Sequence, residues 1–241
     1  MNVLITGGTG GIGFAVAEHF GRLGHHVILA DINSSQLDSR QQELTAAGYQ
    51  ASSILLNLMD QSSIEACAQA YQIDILINNA GVQHVARLED FPEQKWQQLL
   101  QVMLTGPAML TKALLPRMQQ QGFGRVINIG SIHALVASPF KSAYVAAKHG
   151  LLGFSKVVAL ENADFNFTGT RTFNCGDSTA TAVKEGRPRT CLIASRAILA
   201  ANLFVKRVPS GKKTTSESRS TSGPTIYLRF TFVAISKVYH L

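Results

Sequence analysis

Short β-branched apolar runs alternate along this chain with longer stretches of mixed apolar and polar residues. The runs are VLIT (3–6), HVILA (26–30), SILLN (53–57), DILIN (74–78) and RVINIG (125–130). Their near-continuous apolarity predicts strands covered on both faces, as in a parallel sheet. The segments 12–23, 34–47, 61–71, 93–121 and 142–161 are long enough for the right-handed crossover helices such a sheet needs. Repetition of this unit through residue 161 predicts an α/β fold with a doubly wound parallel sheet of the Rossmann type.

The rhythm stops near Asp164. Residues 1–164 carry 10 Lys and Arg against 12 Asp and Glu, a net of −2, whereas residues 165–241 carry 12 against 3, a net of +9. Nineteen of the last 77 residues are Ser or Thr, and KKTTSESRSTSGP (212–224) reads as disordered. CLIASRAILAANLFV (191–205) has helical length and TIYLRFTFVAI (225–235) alternates loosely like a strand, but neither continues the βα rhythm. The expected organisation is therefore a dinucleotide-binding and catalytic domain over 1–164 and a divergent basic tail over 165–241.

Composition narrows the function classes. A chain of 241 residues can build one core without disulfides. Its three cysteines, Cys67, Cys175 and Cys191, show no metal spacing, so no metal site is expected and a reducing, cytoplasmic setting is. No secretory signal precedes the first strand, and no uninterrupted apolar run reaches the ~18 residues of a membrane span. The basic tail lacks an aromatic-interleaved groove or a helical stripe of cations, so nucleic acid is not an expected partner.

The first strand runs directly into TGGTGGIGFAVAEHF. Glycines there allow a tight turn, close approach to a pyrophosphate and a helix start packed on the sheet, with the helix N–H groups facing the phosphates. Gly8, Gly10 and Gly13 satisfy G-x-G-x-x-G, while Gly7, Gly11 and Gly13 satisfy T-G-x-x-x-G-x-G; the spacing admits both. Asp31 ends the second strand, where a carboxylate accepts ribose hydroxyls and repels a 2′-phosphate. No cation follows at Ile32 or Asn33 to receive that phosphate, so NAD is the expected cofactor.

Between Ser131 and Lys148 the chain places a hydroxyl, an imidazole (His133), two ammonium groups (Lys141, Lys148) and a phenol (Tyr144). Tyr144 and Lys148, four apart in SAYVAAKHG, share a helix face. A phenol with a reference pKa near ~10 is a poor base at neutral pH, and a nearby cation is expected to lower it. Ser131 follows a strand that would deliver its hydroxyl to the same cleft.

These motifs, in this order, resemble the short-chain dehydrogenase/reductase family over residues 1 to about 164. TGGTGGIG (6–13) is similar to its cofactor loop, NNAG (78–81) to the segment bordering its nicotinamide site, and Ser131, Tyr144 and Lys148 to its catalytic group. The resemblance implies that Gly7, Thr9, Gly11, Ile12 and Gly13 hold the cofactor phosphates and Asp31 the ribose. It also implies Asn57 and Leu58 beside the adenine, and Asn79, Ala80, Gly81, Tyr144 and Lys148 at the nicotinamide end. GVQHVARLEDFPEQKW (81–96) and SIHALVASPFKSAYVAAKHG (131–150) resemble the D-3-hydroxybutyrate dehydrogenase branch. That likeness implies that Gln83, His133 and Lys141 hold a short carboxylate beside Ser131 and Tyr144. It further implies a homo-oligomer built through 93–121 and 142–161.

Three departures qualify the resemblance. Asn57 replaces a usual aspartate, although its amide oxygen can still accept a hydrogen bond. Met103 replaces an asparagine that organises a proton relay, and a thioether cannot donate. The expected Asn-x-x-Pro-Gly turn is missing: FNFTGTRTFNCGDST (165–179) offers Asn174, Cys175 and Gly176 without it. The abrupt change points to a frameshifted or replaced C-terminus. Three functions remain open: an NAD-dependent 3-hydroxybutyrate dehydrogenase, a dehydrogenase of another small hydroxy acid or secondary alcohol, and a cofactor-binding but catalytically silent protein.

Overall fold

A computed structural model of the chain describes residues 1–162 and 171–172. The sequence readings on Asn174, Cys175, Gly176 and the segments 191–205, 212–224 and 225–235 lie outside them. Strands β1 (Asn2–Thr6), β2 (His26–Asp31), β3 (Ala51–Leu55), β4 (Ile75–Asn78), β5 (Arg125–Asn128) and the two-residue β6 (Arg171–Thr172) form one sheet. Its order is β3-β2-β1-β4-β5-β6, and every pair is parallel. The sixth strand thus comes from beyond the boundary read at Asp164.

Helices α1 (Gly11–Arg22), α2 (Ser34–Ala46), α3 (Gln61–Ala70), α4 (Glu93–Leu100), α5 (Gly106–Gln120) and α6 (Ser142–Glu161) make the crossovers. Polar caps begin two of them: Asn33 Oδ1 accepts the Gln36 N–H at 3.1 Å and Asp60 Oδ1 accepts that of Ser62 at 2.9 Å. Strand side chains alternate between two cores. Val3, Ile5, Val27, Leu29, Ile75 and Ile77 pack with Val16, Phe20, Leu37 and Leu44 of α1 and α2. Leu4, Ile28, Leu76 and Val126 pack with Ile64, Leu110, Leu114 and Val158 on the other face. Burial on both faces explains the unbroken apolar runs, and each fully buried Leu, Ile or Val contributes roughly 1.5–3 kcal/mol.

Two boundaries differ from the sequence reading. The third strand is 51–55 rather than 53–57, because it pairs only with β2 and ends where Leu56 N–H bonds the Asp31 carbonyl at 2.9 Å. The helix expected over 93–121 is interrupted by a wider, π-helical turn at Gln101–Thr105. Pro107 has no N–H to bond the Met103 carbonyl, which weakens regular α-helix there. Gly106 allows close approach as well, since a Cβ would sit 2.8 Å from both Cβ and the carbonyl oxygen of Leu58. By length and composition alone Glu93–Gln120 could cross a membrane, but Leu99, Met103, Leu110, Leu114 and Met118 along it are buried within the protein.

The chain winds outward from β1 to β3 and then resumes on the other side of β1 with β4. The carboxyl ends of β1 and β4 therefore flank the topological switch point, where doubly wound sheets form their ligand crevice.

Candidate active site

The loop after β1 is shaped by contacts that exclude side chains at two glycines. Gly7 has φ +63°, and a Cβ there would meet Ala80 Cα at 2.8 Å. A Cβ on Gly13 would lie against the Gly7 carbonyl oxygen and 2.8 Å from Asn79 Nδ2. Asn79 in turn donates from Nδ2 to the carbonyls of Thr6 (3.0 Å) and Gly7 (3.1 Å). Thr6 Oγ1 accepts the backbone N–H of Asn79 and Ala80 at 3.0 and 3.1 Å. The two segments facing the switch point are thereby tied together. Thr6 was not read as a site residue from sequence; its place one residue before the glycine motif was the available signal.

Gly11 differs from its neighbours: a Cβ there would meet nothing within 4 Å. It opens α1, whose N-cap Gly10 provides no side-chain cap and whose first turn carries no acidic residue. The first intrahelical bond runs from Phe14 N–H to the Gly10 carbonyl at 2.8 Å. The N–H groups of Gly11, Ile12 and Gly13 precede that bond, and in an α-helix such first-turn N–H groups have no i→i−4 partner. Uncapped N–H groups facing open space at a helix N-terminus fit an anionic pyrophosphate. Of the two glycine readings, the backbone therefore gives Gly7 and Gly13 to packing and leaves Gly11 clear for a ligand.

Asp31, at the end of β2, is already well held. Its Oδ2 accepts from Thr9 N–H (3.2 Å) and Thr9 Oγ1 (2.6 Å), and its Oδ1 from Ile32 N–H (2.8 Å) and Asn33 N–H (3.4 Å). The carboxylate is fixed at the mouth of the glycine loop. Asn57 Oδ1 accepts the Met59 N–H at 3.0 Å in a local turn, which leaves the oxygen's second lone pair for a further donor. Leu58 is buried in the sheet core, and its carbonyl accepts from Gln101 Nε2 at 3.3 Å.

The second half of the cleft follows β5. Ser131 is buried and caps a short 3-10 turn at 132–134, accepting the His133 N–H at 3.2 Å. Tyr144 lies in the first turn of α6, and the Ser131 hydroxyl is close enough to its phenol to favour the phenolate. The His133 ring stands edge-on to Tyr144, with centroids 6.0 Å apart and planes at 84°. Lys141, immediately before α6, is the helix N-cap residue and is half-buried. Gln83 is exposed on the loop after β4, and Gly81 precedes it with Met103 Sδ 3.6 Å from where its Cβ would be. Met103 itself is buried between Leu99, Ala143 and Ala147.

Lys148 is buried one turn below Tyr144, with Nζ donating to the Ile129 carbonyl at 2.8 Å and lying 5.8 Å from the Tyr144 ring centre. Burial lowers its pKa from 10.5 to about 8. The four-residue spacing predicts that Lys148 lowers the tyrosine's pKa. In the described structure the phenol is instead raised above its ordinary value, because burial disfavours the phenolate more than the Ser131 hydroxyl favours it. The ammonium is drawn to a backbone carbonyl, and it is itself weakened by burial.

A buried polar chain supports this arrangement. Asn78 Nδ2 donates to Asn128 Oδ1 at 2.8 Å, and Asn128 Nδ2 donates to Ser155 Oγ at 2.8 Å, linking β4, β5 and α6. Polar Asn128 inside the apolar run RVINIG was the sequence signal for this link. Among the described residues no group of three or more His, Cys, Asp or Glu side chains could hold a metal.

Residues 1–185 match the short chain dehydrogenase family. The chain is 42% identical over 173 residues to a D-beta-hydroxybutyrate dehydrogenase of Cupriavidus necator, covering 68% of this chain and 66% of that protein. It is 39% identical over 173 residues to the D-beta-hydroxybutyrate dehydrogenase of Rhizobium meliloti, covering 68% and 67% respectively. The chain thus spans about two thirds of the length of these curated relatives. Among solved structures, it is similar to a metagenomic short-chain oxidoreductase in complex with NADP, with a TM-score of 0.75 and 27% identity. That likeness covers 86% of this chain and 91% of the other.

Proposed function

The chain belongs to the short-chain dehydrogenase family, and from that membership we propose that it oxidises D-3-hydroxybutyrate to acetoacetate, and catalyses the reverse, with NAD. The observation that carries the reading is the convergence of Ser131 and His133 on Tyr144, by the serine hydroxyl's influence on the phenol and by an edge-on ring contact. A generic secondary-alcohol site needs the serine and the tyrosine. An imidazole against the phenol, with Lys141 three residues before it, adds groups suited to a short carboxylate.

Gly7, Thr9, Gly11, Ile12 and Gly13 would receive the cofactor phosphates and Asp31 the adenosine ribose. Asn57 and Leu58 would border the adenine; Asn79, Ala80 and Gly81 would line the nicotinamide end. The Asp31 carboxylate, fixed by Thr9, supports NAD over NADP by repelling a 2′-phosphate. When bound, the oxidised nicotinamide supplies the acceptor for the C3 hydride and a positive charge that favours the phenolate. Tyr144 Oη then accepts the alcohol proton, and Ser131 Oγ donates a hydrogen bond to the same substrate oxygen as its charge develops. Lys148 would hold the nicotinamide ribose. Lys141, Gln83 and His133 orient the carboxylate. Helical segments 93–121 and 142–161 would form the contact between subunits. A reducing cytoplasmic setting follows from the cysteine pattern of the sequence, and Cys67 is a buried free thiol.

The test is NAD reduction by the purified chain on D-3-hydroxybutyrate, on other short hydroxy acids and on neutral secondary alcohols. Tyr144→Phe should abolish turnover while cofactor binding persists, and Lys141→Ala should penalise the acids alone. Turnover of neutral alcohols only would overturn the substrate. Cofactor binding without turnover of any compound would favour the silent reading.

A further inference from the structure

Phe140 is the residue other than glycine with positive φ (+64°) among the described residues. L side chains avoid this conformation, and an aromatic one gains nothing from it locally. Burial does not explain it, because Phe140 is 52% exposed. Its backbone does make a long-range bond: the Phe140 carbonyl accepts the Ala86 N–H at 3.0 Å. Ala86 lies three residues after Gln83 on the loop following β4, and Lys141 directly follows Phe140. The Lys141 carbonyl accepts the Val145 N–H at 2.8 Å, which starts the helix bearing Tyr144. One strained residue therefore joins the loop of Gln83 to the loop of His133 and Lys141 at the point where α6 begins.

We propose that the Phe140–Ala86 backbone bond is a clamp that sets the distance between the two loops holding the substrate carboxylate, and that Phe140 is a positioning residue through its left-handed backbone. The proposal rests on the carboxylate reading given above. A backbone forced into a disfavoured region persists when its surroundings over-determine it, and such residues gather at ligand clamps. Here the helix start fixes one side of Phe140 and the Ala86 bond fixes the other. The ring plays no part in the clamp; the carbonyl direction does.

Three substitutions separate these roles. Phe140→Gly keeps the carbonyl and accepts φ +64° freely. Phe140→Val resists that conformation through its branched Cβ. Ala86→Pro deletes the donor. Full-length protein should show slow amide hydrogen exchange at residue 86 in the parent and in Phe140→Gly, and fast exchange in Phe140→Val. In the dehydrogenase assay, Phe140→Val and Ala86→Pro should raise KM for hydroxy acids roughly tenfold to a hundredfold, as expected for misplaced binding groups. Their kcat, their cofactor affinity and their KM for neutral secondary alcohols should stay near parental values, and Phe140→Gly should restore the acid KM. An unprotected residue 86 in the parent overturns the clamp. So does a Phe140→Gly variant that behaves like Phe140→Val, which would assign the effect to the ring, and so does an equal rise in KM for acids and alcohols. A parent that turns over no hydroxy acid refutes the substrate reading, while the exchange pattern still decides the clamp.

Discussion

Gly11 and Gly13 are two residues apart in one motif, yet the structure assigns them different roles, and alanine at each should separate the roles. At Gly13 the new methyl would lie against the Gly7 carbonyl oxygen, 2.8 Å from Asn79 Nδ2 and 3.0 Å from the Gly7 carbonyl carbon. Gly7 cannot retreat, because its own α-carbon faces Ala80 and its φ is +63°. Overpacking of this kind costs about 1–3 kcal/mol. Displacing Asn79 would also strain its two bonds to the Thr6 and Gly7 carbonyls, each contributing about 1 kcal/mol. Together these give about 3–5 kcal/mol, and at roughly 2–4 °C per kcal/mol for a chain of this length the melting temperature should fall by roughly 6–20 °C. At Gly11 the methyl meets nothing within 4 Å, and alanine is the better helix former by up to about 1 kcal/mol. Gly11→Ala should therefore melt at or slightly above the parent temperature. Its methyl would enter the space a pyrophosphate needs, so NAD affinity should fall by about 10–100-fold, equivalent to about 1.4–2.8 kcal/mol. Thermal melts and calorimetric NAD titration of both variants make the comparison. Equal melting of Gly13→Ala and parent, or undiminished affinity in Gly11→Ala, would refute the division of roles.

Lys148 should make stability depend on alkaline pH. The unfolded chain protonates this amine below 10.5 and the folded chain only below about 8, so stability falls as pH drops through that interval, by about 3 kcal/mol in full. Lys148→Met should flatten that part of the melting-temperature profile and raise stability at pH 7 while removing activity; an unchanged slope counts against burial as the cause. His19 and His25 are both lowered from 6.5, chiefly by burial, with Arg22 adding at His19 and the chain's amino terminus at His25. The unfolded chain thus binds more protons below pH 6.5, and the melting temperature should fall as pH drops through 6.5; a His19→Gln, His25→Gln double variant should lose most of this sensitivity. Asp31→Asn keeps the hydrogen-bonding shape but removes the charge, so the preference for NAD over NADP should shrink by about tenfold, equivalent to about 1.4 kcal/mol. Unchanged relative affinities would show that the Asp31 charge does not select the cofactor.

Much of the fold was legible because its cause is local and repetitive. A strand covered on both faces must be apolar throughout, and VLIT, HVILA, DILIN and RVINIG carry that requirement in consecutive residues. Ser131, Tyr144 and Lys148 were legible for a related reason: one helix turn and one strand end fix their approach. The π-helical turn at 101–105 and the engagement of Asn57 Oδ1 were less accessible. The first depends on Gly106 closing on Leu58, 48 residues away in sequence, and the second on a turn geometry that an isolated asparagine does not specify.

The amino-acid order by itself determined the parallel α/β architecture, the glycine loop, the carboxylate that ends β2 and the spacing of Ser131, Tyr144 and Lys148, since each is set by periodicity or by neighbours within one element. Only the tertiary structure decided which glycine serves packing and which faces open space. It also decided that burial raises the Tyr144 phenol, whereas its neighbour had been expected to lower it, and that Lys148 answers to the Ile129 carbonyl. Those outcomes depend on desolvation and on atoms brought together from distant strands, and neither quantity is encoded in any single stretch of the chain.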